Sequence, residues 1–246
     1  MKIDGLFEIL DRYFLDFIGT VIPGSAFIAE IYMLLEQPTL SNKILIMSSN
    51  SAVNWVFYII LGYVIGHALS SIGKNIIVEV LEYLKTHKYT KWLLPRFITP
   101  KKQLFEKVQK RIDYEQLVSK AIGYFSIEAE EESDFSSWRS IAMSLSEDNS
   151  LAYRFIFLSL MNLGIATSIL LTNILWILLH LINGHFGISF DLLDFNLVLF
   201  ILIFLVSLPF LERYYQFYRY SMEVPFSKAL VRLQELENSS NESDDQ

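Results

Sequence analysis

The chain has 246 residues, of which 52% are hydrophobic and 19% are charged, whereas ordinary soluble domains carry about 25% charged residues. Three stretches, residues 44–73, 155–190 and 195–211, contain no charged side chain at all. This composition excludes a soluble single domain, and the net charge of −7 argues against duplex nucleic acid as a partner. The absence of cysteine excludes disulfides and thiolate metal sites.

The first predicted element is an amphipathic helix over residues 3–17, where apolar side chains recur at helical spacing and acidic side chains share the other face. Helices that lie on a membrane surface usually carry Lys and Arg on their polar face. The acidic face therefore favours packing against another part of the protein, with the lipid surface as the alternative.

Four segments have the roughly 20 mostly apolar residues that a transmembrane helix needs. They are residues 14–35, 52–73, 155–182 and 195–211. The sequence thus predicts an all-α, polytopic membrane protein. Nineteen of its 20 Lys and Arg residues lie before the first span, between the second and third, or after the fourth, and positive residues stay in the cytoplasm. Both termini and the central segment are therefore predicted to be cytoplasmic.

This topology divides the chain into five parts. The N-terminal helix and the first transmembrane hairpin occupy residues 1–84, and a helical cytoplasmic insert follows over 85–154. The second hairpin spans 155–211, a cytoplasmic helix 212–237, and a polar, acidic tail that we expect to be disordered 238–246.

The insert begins with a strongly basic stretch, since residues 85–120 contain ten Lys or Arg against three acidic residues. Helices are predicted over 101–120, with Leu104, Val108 and Ile112 on one stripe, and over 138–145. One interpretation is nonspecific contact with anionic lipid headgroups. The alternative is a specific pocket for an anionic ligand such as a nucleotide. The candidate contacts are Lys101, Lys102, Lys107, Lys110 and Arg111.

The first span carries two acidic side chains. Asp16, Thr20, Pro23, Phe27 and Glu30 follow one another at intervals of three or four residues, so the two carboxyl groups lie within about 40° of each other and about 21 Å apart along the helix axis. Rings of Asp or Glu select cations, and we predict that Asp16, Thr20 and Glu30 line a cation pathway. The alternative places both acids in the headgroup layers. Pro23 and Gly24 predict a kink.

The other spans carry polar and small residues at regular spacing. Asn162 and Asn173 project close to one line on the third span and are candidates for pore lining, with hydrogen bonding between helices as the alternative. Gly62, Gly66 and Gly73 on the second span predict close helix packing.

Sequence signatures of catalysis and cofactor binding are missing. The chain has no glycine-rich phosphate loop, no metal-ligand spacing among its four histidines and no catalytic triad signature. We therefore expect no cofactor, no metal site and no enzyme activity.

The kinked first span (Ile22, Pro23, Gly24), the second hairpin, the basic insert and the RYYQFYRY segment at residues 213–220 together resemble small four-span membrane proteins of bacterial antiphage defence. The transmembrane subunits of the Hailong and Kiwa systems are the examples. The resemblance implies a homo-oligomer, with a tetramer as the expected number, in the bacterial inner membrane. It also implies a channel whose opening depolarises the membrane, under the control of a cytoplasmic defence protein or a nucleotide ligand. The competing hypothesis is a non-conducting scaffold or sensor that recruits a soluble effector.

Overall fold

The computed structural model describes residues 3–34, 51–87, 89, 90, 92, 94–111, 135–145, 150–186 and 196–244. In these ranges the regular structure is helical. The elements are α1 (Ile3–Leu34), α2 (Ser51–Ile72), a π-helical turn (Gly73–Ile77), α3 (Val78–Thr86), α4 (Lys101–Arg111), α5 (Phe135–Leu145), α6 (Ser150–Phe186) and α7 (Leu197–Asp244).

Four of these helical segments are long and apolar enough to cross a membrane, which confirms the predicted all-α, polytopic fold. They are Tyr13–Leu34, Asn54–Thr86, Leu151–Asn183 and Leu197–Leu236. Each one includes or overlaps one of the four predicted spans. The segments that connect the first span to the second and the third to the fourth lie mostly outside the described residues. The multi-pass architecture therefore follows directly from the uncharged stretches of the sequence.

Helices α1 and α7 each join segments that were predicted separately. The N-terminal amphipathic segment is continuous with the first span as α1. Helix α7 joins the fourth span to the predicted cytoplasmic helix and continues to Asp244, into the tail that we expected to be disordered. Ile112 and the rest of the predicted helix beyond Arg111 lie outside the described residues.

The first of two compact units comprises residues 1–98 and 157–215. Here α1 and α2 approach so closely that their backbones touch. A Cβ atom added to Gly24 would lie 2.6 Å from the backbone carbon of Gly62 and 2.8 Å from the backbone nitrogen of Gly66. Small residues allow such an approach between membrane helices, where dispersion forces replace the hydrophobic effect as the source of stability.

Helix α6 completes this packing against the proline of α1. A Cβ atom on Gly164 would lie 2.8 Å from both Cβ and Cγ of Pro23, and Pro23 is fully buried. Helix α1 runs through Pro23 without ending. Close to the end of α1, Leu34 and Trp176 are buried together and pack against apolar side chains of α7.

The second compact unit comprises residues 99–156 and 216–246. Its core is formed by α4, α5 and the C-terminal part of α7 and contains Val108, Ala142, Met222, Phe226, Ala229 and Leu233. Leu104 and Val108 are both buried, as their predicted helix stripe requires. The backbone N–H of Leu104 donates to the carbonyl of Pro100 at 2.9 Å, which fixes the first turn of α4.

Truncation of the largest side chain in this core is expected to destabilise the second unit. Phe226 is fully buried, so Phe226→Ala removes a ring from a closed site and should cost about 3–5 kcal/mol. Val231 lies on the same helix and is 55% exposed; Val231→Ala should change stability by less than about 0.5 kcal/mol. Equilibrium unfolding in detergent micelles, followed by hydrogen exchange of the α4 and α5 amides, compares the two. Equal losses for both variants would contradict the assigned core.

Candidate functional site

The most clearly defined polar cluster of the first unit surrounds Glu30. Its Oε2 atom accepts a hydrogen bond from Ser168 Oγ at 2.6 Å and another from Thr172 Oγ1 at 2.9 Å. Ser168 and Thr172 are four residues apart on α6, so their hydroxyl groups share one face of that helix. We call these three residues the Glu30 site. It joins the first and third spans by a carboxylate and two hydroxyls.

The Glu30 site lies within the apolar part of both helices. On α1, residues 17–29 carry no charge before Glu30 is reached. On α6, Ser168 follows Arg154 by 14 residues, or about 21 Å of helix, within the uncharged stretch that extends to residue 190. The inward-facing position of Glu30 and the alternative in the headgroup layers both stay predictions.

No basic side chain of these four helices reaches the depth of Glu30. By sequence, α1 has no Lys or Arg after Arg12, α2 ends before Lys74, α6 has none after Arg154, and α7 has none before Arg213. An ionised carboxyl group is costly away from water unless an opposite charge accompanies it. The described helices thus offer the charge on Glu30 no Lys or Arg, so a proton or a cation from solution is the neutralising group that fits them.

The other two residues of the predicted pathway on α1 differ from Glu30. Thr20 is buried, and its Oγ1 donates to the backbone carbonyl of Asp16 at 2.7 Å. A Cβ on Gly66 would lie 2.7 Å from the carbonyl carbon of Thr20. Thr20 therefore lies in the contact between α1 and α2, whereas the Asp16 side chain is partly exposed.

Both asparagines predicted to line a pore are buried within α6 packing. Asn162 Nδ2 donates to the backbone carbonyl of Leu158 at 2.7 Å, which is a bond within its own helix. Asn173 is 3% exposed, and its Nδ2 has no hydrogen-bond partner among the described residues. The side chains of Thr20, Asn162 and Asn173 are therefore buried within a single chain. A water path past them would require the helices to separate.

The predicted packing glycines lie in contacts between helices. Gly62 and Gly66 face α1, as described above, and Gly73 faces α6, where an added Cβ would overlap Thr167 Oγ1 and lie 2.8 Å from Leu163 Cγ. Thr167 Oγ1 is buried and has no hydrogen-bond partner in the described part of the chain. Gly73 also begins the π-helical turn, a distortion that is frequent at functional positions in helices.

The basic candidates of the second unit lie on the surface of α4. Lys102, Lys107 and Lys110 are exposed, while the side chains of Lys101 and Arg111 lie outside the described set. Their contact with anionic lipid or with an anionic ligand stays a prediction.

Arg139 in the second unit was not among the basic residues that the sequence pattern singled out. Arg139 on α5 is partly buried and donates from Nη2 to the carbonyl of Ser221 at 3.5 Å. Burial lowers the pKa of its guanidinium group, and electrostatic interaction with Tyr218 and Tyr153 opposes that shift.

The fold and site together define a four-span, all-α membrane protein with one intramembrane carboxylate held by hydroxyl groups. Comparison with protein-family models, with curated proteins and with solved structures finds no match to this chain.

Proposed function

We propose that this protein is an oligomeric membrane channel that conducts cations. The observation that carries the proposal is Glu30, an acidic side chain within a helix long and apolar enough to span a membrane, bonded to two hydroxyls, with no Lys or Arg near its level on the described helices. Intramembrane ionisable residues commonly mark ion pathways, and acidic rings in channels select cations. Symmetry-related copies of Glu30 would form such a ring.

Close packing within the chain supports a path between copies. Backbone contacts at Gly24 and Gly66 close the space between α1 and α2, and Pro23 fills the space in front of Gly164 on α6. At the level of these contacts there is no room for a column of water among the three helices. Glu30 itself is only partly buried, so its free side can face a second copy. A homo-oligomer, with a tetramer as our working number, brings these carboxylates together.

In our proposal the second unit receives the gating signal. The excess of Lys and Arg in the insert favours the cytoplasm for this part and for both termini, and the exposed lysines of α4 suit an anionic ligand or a cytoplasmic partner protein. Helices α6 and α7 each contribute residues to both units, so they give a ligand-induced change a continuous route to the spans. Together with the resemblance to antiphage systems, this suggests a membrane effector of bacterial defence, located in the inner membrane.

Purified protein in planar bilayers tests the channel. We expect currents with a preference for Na⁺ and K⁺ over Cl⁻, a reduced preference in Glu30→Gln, and an altered conductance in Asp16→Asn, because each change removes a negative charge from the path. Ser207→Ala is the matched control, since Ser207 is a buried hydroxyl of α7 that donates only to its own helix, at Phe204 O. The measurements are reversal potential and single-channel conductance.

Two results would contradict this assignment. Currents that both acidic variants leave unchanged would remove Asp16 and Glu30 from the path. Silent bilayers, together with co-purification of a soluble partner, would instead support the non-conducting scaffold.

A further inference from the structure

We propose that the Glu30 site binds one partly dehydrated monovalent cation of the size of Na⁺. The ligands are the Glu30 carboxylate and the hydroxyl oxygens of Ser168 and Thr172. This site would be an ion-binding position along the conduction path, and its biological role rests on the proposed channel function. The three side chains would determine which ion binds there.

The chemistry of the three groups suits a small, hard cation. Such ions prefer oxygen ligands, and all three side chains offer oxygen. The two hydroxyls now donate to Oε2 of Glu30, but a hydroxyl also carries two acceptor lone pairs and rotates freely about its C–O bond. When a cation enters, both hydrogens turn away, and the oxygens of Ser168 and Thr172 face the ion beside the carboxylate. No proton is transferred in this exchange.

Charge selects a monovalent ion over a divalent one. Each chain contributes a single carboxylate to its own site, so one positive charge per copy neutralises it completely. No group of three or more His, Cys, Asp or Glu side chains that could hold a metal ion occurs among the residues with described positions, whereas divalent ions such as Ca²⁺ usually draw on several such ligands. The lack of Lys and Arg at this depth of the spans also leaves the carboxylate available to an ion from solution.

Spacing and burial favour the smaller of the common monovalent ions. The oxygens are 2.6 and 2.9 Å apart across the two hydrogen bonds, so they must move apart to admit any ion, and they move least for a small one such as Na⁺. Ser168 is fully buried, whereas Glu30 and Thr172 are partly exposed. An ion therefore reaches the site from the side of Glu30 and Thr172, and Ser168 forms the closed end.

A stability measurement tests the site without any current. Full-length protein in detergent is heated while NaCl replaces choline chloride at constant ionic strength and pH, and the thermal midpoint is recorded. Because an ion that binds only the folded state stabilises it, we expect the midpoint to rise with Na⁺ and to rise less with K⁺. Glu30→Gln should abolish the rise. Thr172→Val should increase the Na⁺ concentration at half-effect about tenfold, and Ser207→Ala should leave it unchanged.

Three outcomes would overturn the inference. The first is a midpoint that does not respond to Na⁺, and the second is an equal response in wild type and Glu30→Gln. The third is a midpoint that follows pH but not Na⁺, which would make Glu30 a proton site. If Glu30→Gln does not fold, equilibrium binding of radioactive Na⁺ to wild type and Thr172→Val decides instead.

The outcome separates this site from the channel. Stabilisation by Na⁺ with silent bilayers would keep the site and reject the channel. Currents without any dependence of stability on Na⁺ would reject the site and leave the channel.

Discussion

Gly66→Ala is expected to force α1 away from α2 and to destabilise the first unit by at least about 3 kcal/mol, the upper end of ordinary overpacking. An added Cβ would overlap the backbone oxygen of Thr20 and lie 2.7 Å from its carbonyl carbon. A clash with a flexible side chain is relieved by rotation about its bonds, but here the whole of α1 would have to move. The loss should appear as a lower thermal midpoint and as faster proteolysis of the detergent-solubilised protein.

Gly19→Ala provides the matched control on the facing helix. Its added Cβ would lie 3.7 Å from the backbone oxygen of Phe157 and 3.9 Å from Met161 Cβ, which is ordinary van der Waals contact. Alanine is favoured over glycine inside a helix by about 1 kcal/mol. We therefore expect Gly19→Ala to be neutral or stabilising. If both variants lose the same stability, the substitution in a span is costly in itself, and the close approach at Gly66 is contradicted.

The existence of the spans could be predicted from the sequence because length and apolarity decide whether a helix can cross a membrane. The same holds for Gly62 and Gly66, whose spacing marks a small face on one helix. What lies against that face could not be predicted. The spacing on α2 contains no information about α1, and only the structure pairs these glycines with Thr20 and Gly24.

Periodicity was informative about the stripe on α1 but not about its surroundings. It placed Thr20 and Glu30 on one broad stripe of the helix, and both do face other helices of the chain. Yet Thr20 meets the backbone of Gly66, whereas Glu30 meets two hydroxyls. A repeat of three and four residues defines a face of a helix; whether that face is covered by glycine, by hydroxyl groups or by water depends on a partner distant in sequence.

The hydroxyls of the Glu30 site illustrate a second limit. Ser and Thr in apolar helices usually bond to a carbonyl of their own helix, as Ser207 does at Phe204, so Ser168 and Thr172 carry no functional signal on their own. The available hint was their spacing of four residues in the same protein as an intramembrane acid. Only the folded chain shows that both donate to that acid.

The double substitution Ser168→Ala and Thr172→Val removes both hydroxyls of the Glu30 site and leaves the acid in place. It should lower the free energy of unfolding by about 3 kcal/mol, because the Glu30 carboxyl group then stays in the span without its two donors. Hydrogen bonds to a charged group contribute about 1.5–3 kcal/mol each. Adding Glu30→Leu removes the group that needs the donors. Since apolar side chains of similar volume can replace a buried charged set without loss, this triple variant should regain at least about 2 kcal/mol.

The two variants separate the charge of Glu30 from its packing. Their unfolding free energies are compared in the same detergent with those of wild type and Ser207→Ala. A triple variant as unstable as the double one would assign the loss to cavities on α6 and would contradict the role given to the carboxylate. If the triple variant regains stability but loses cation selectivity in bilayers, Glu30 lowers the stability of the protein and is needed for its interaction with the ion. That result would explain why an acid occupies a position where leucine would hold α1 and α6 together more firmly.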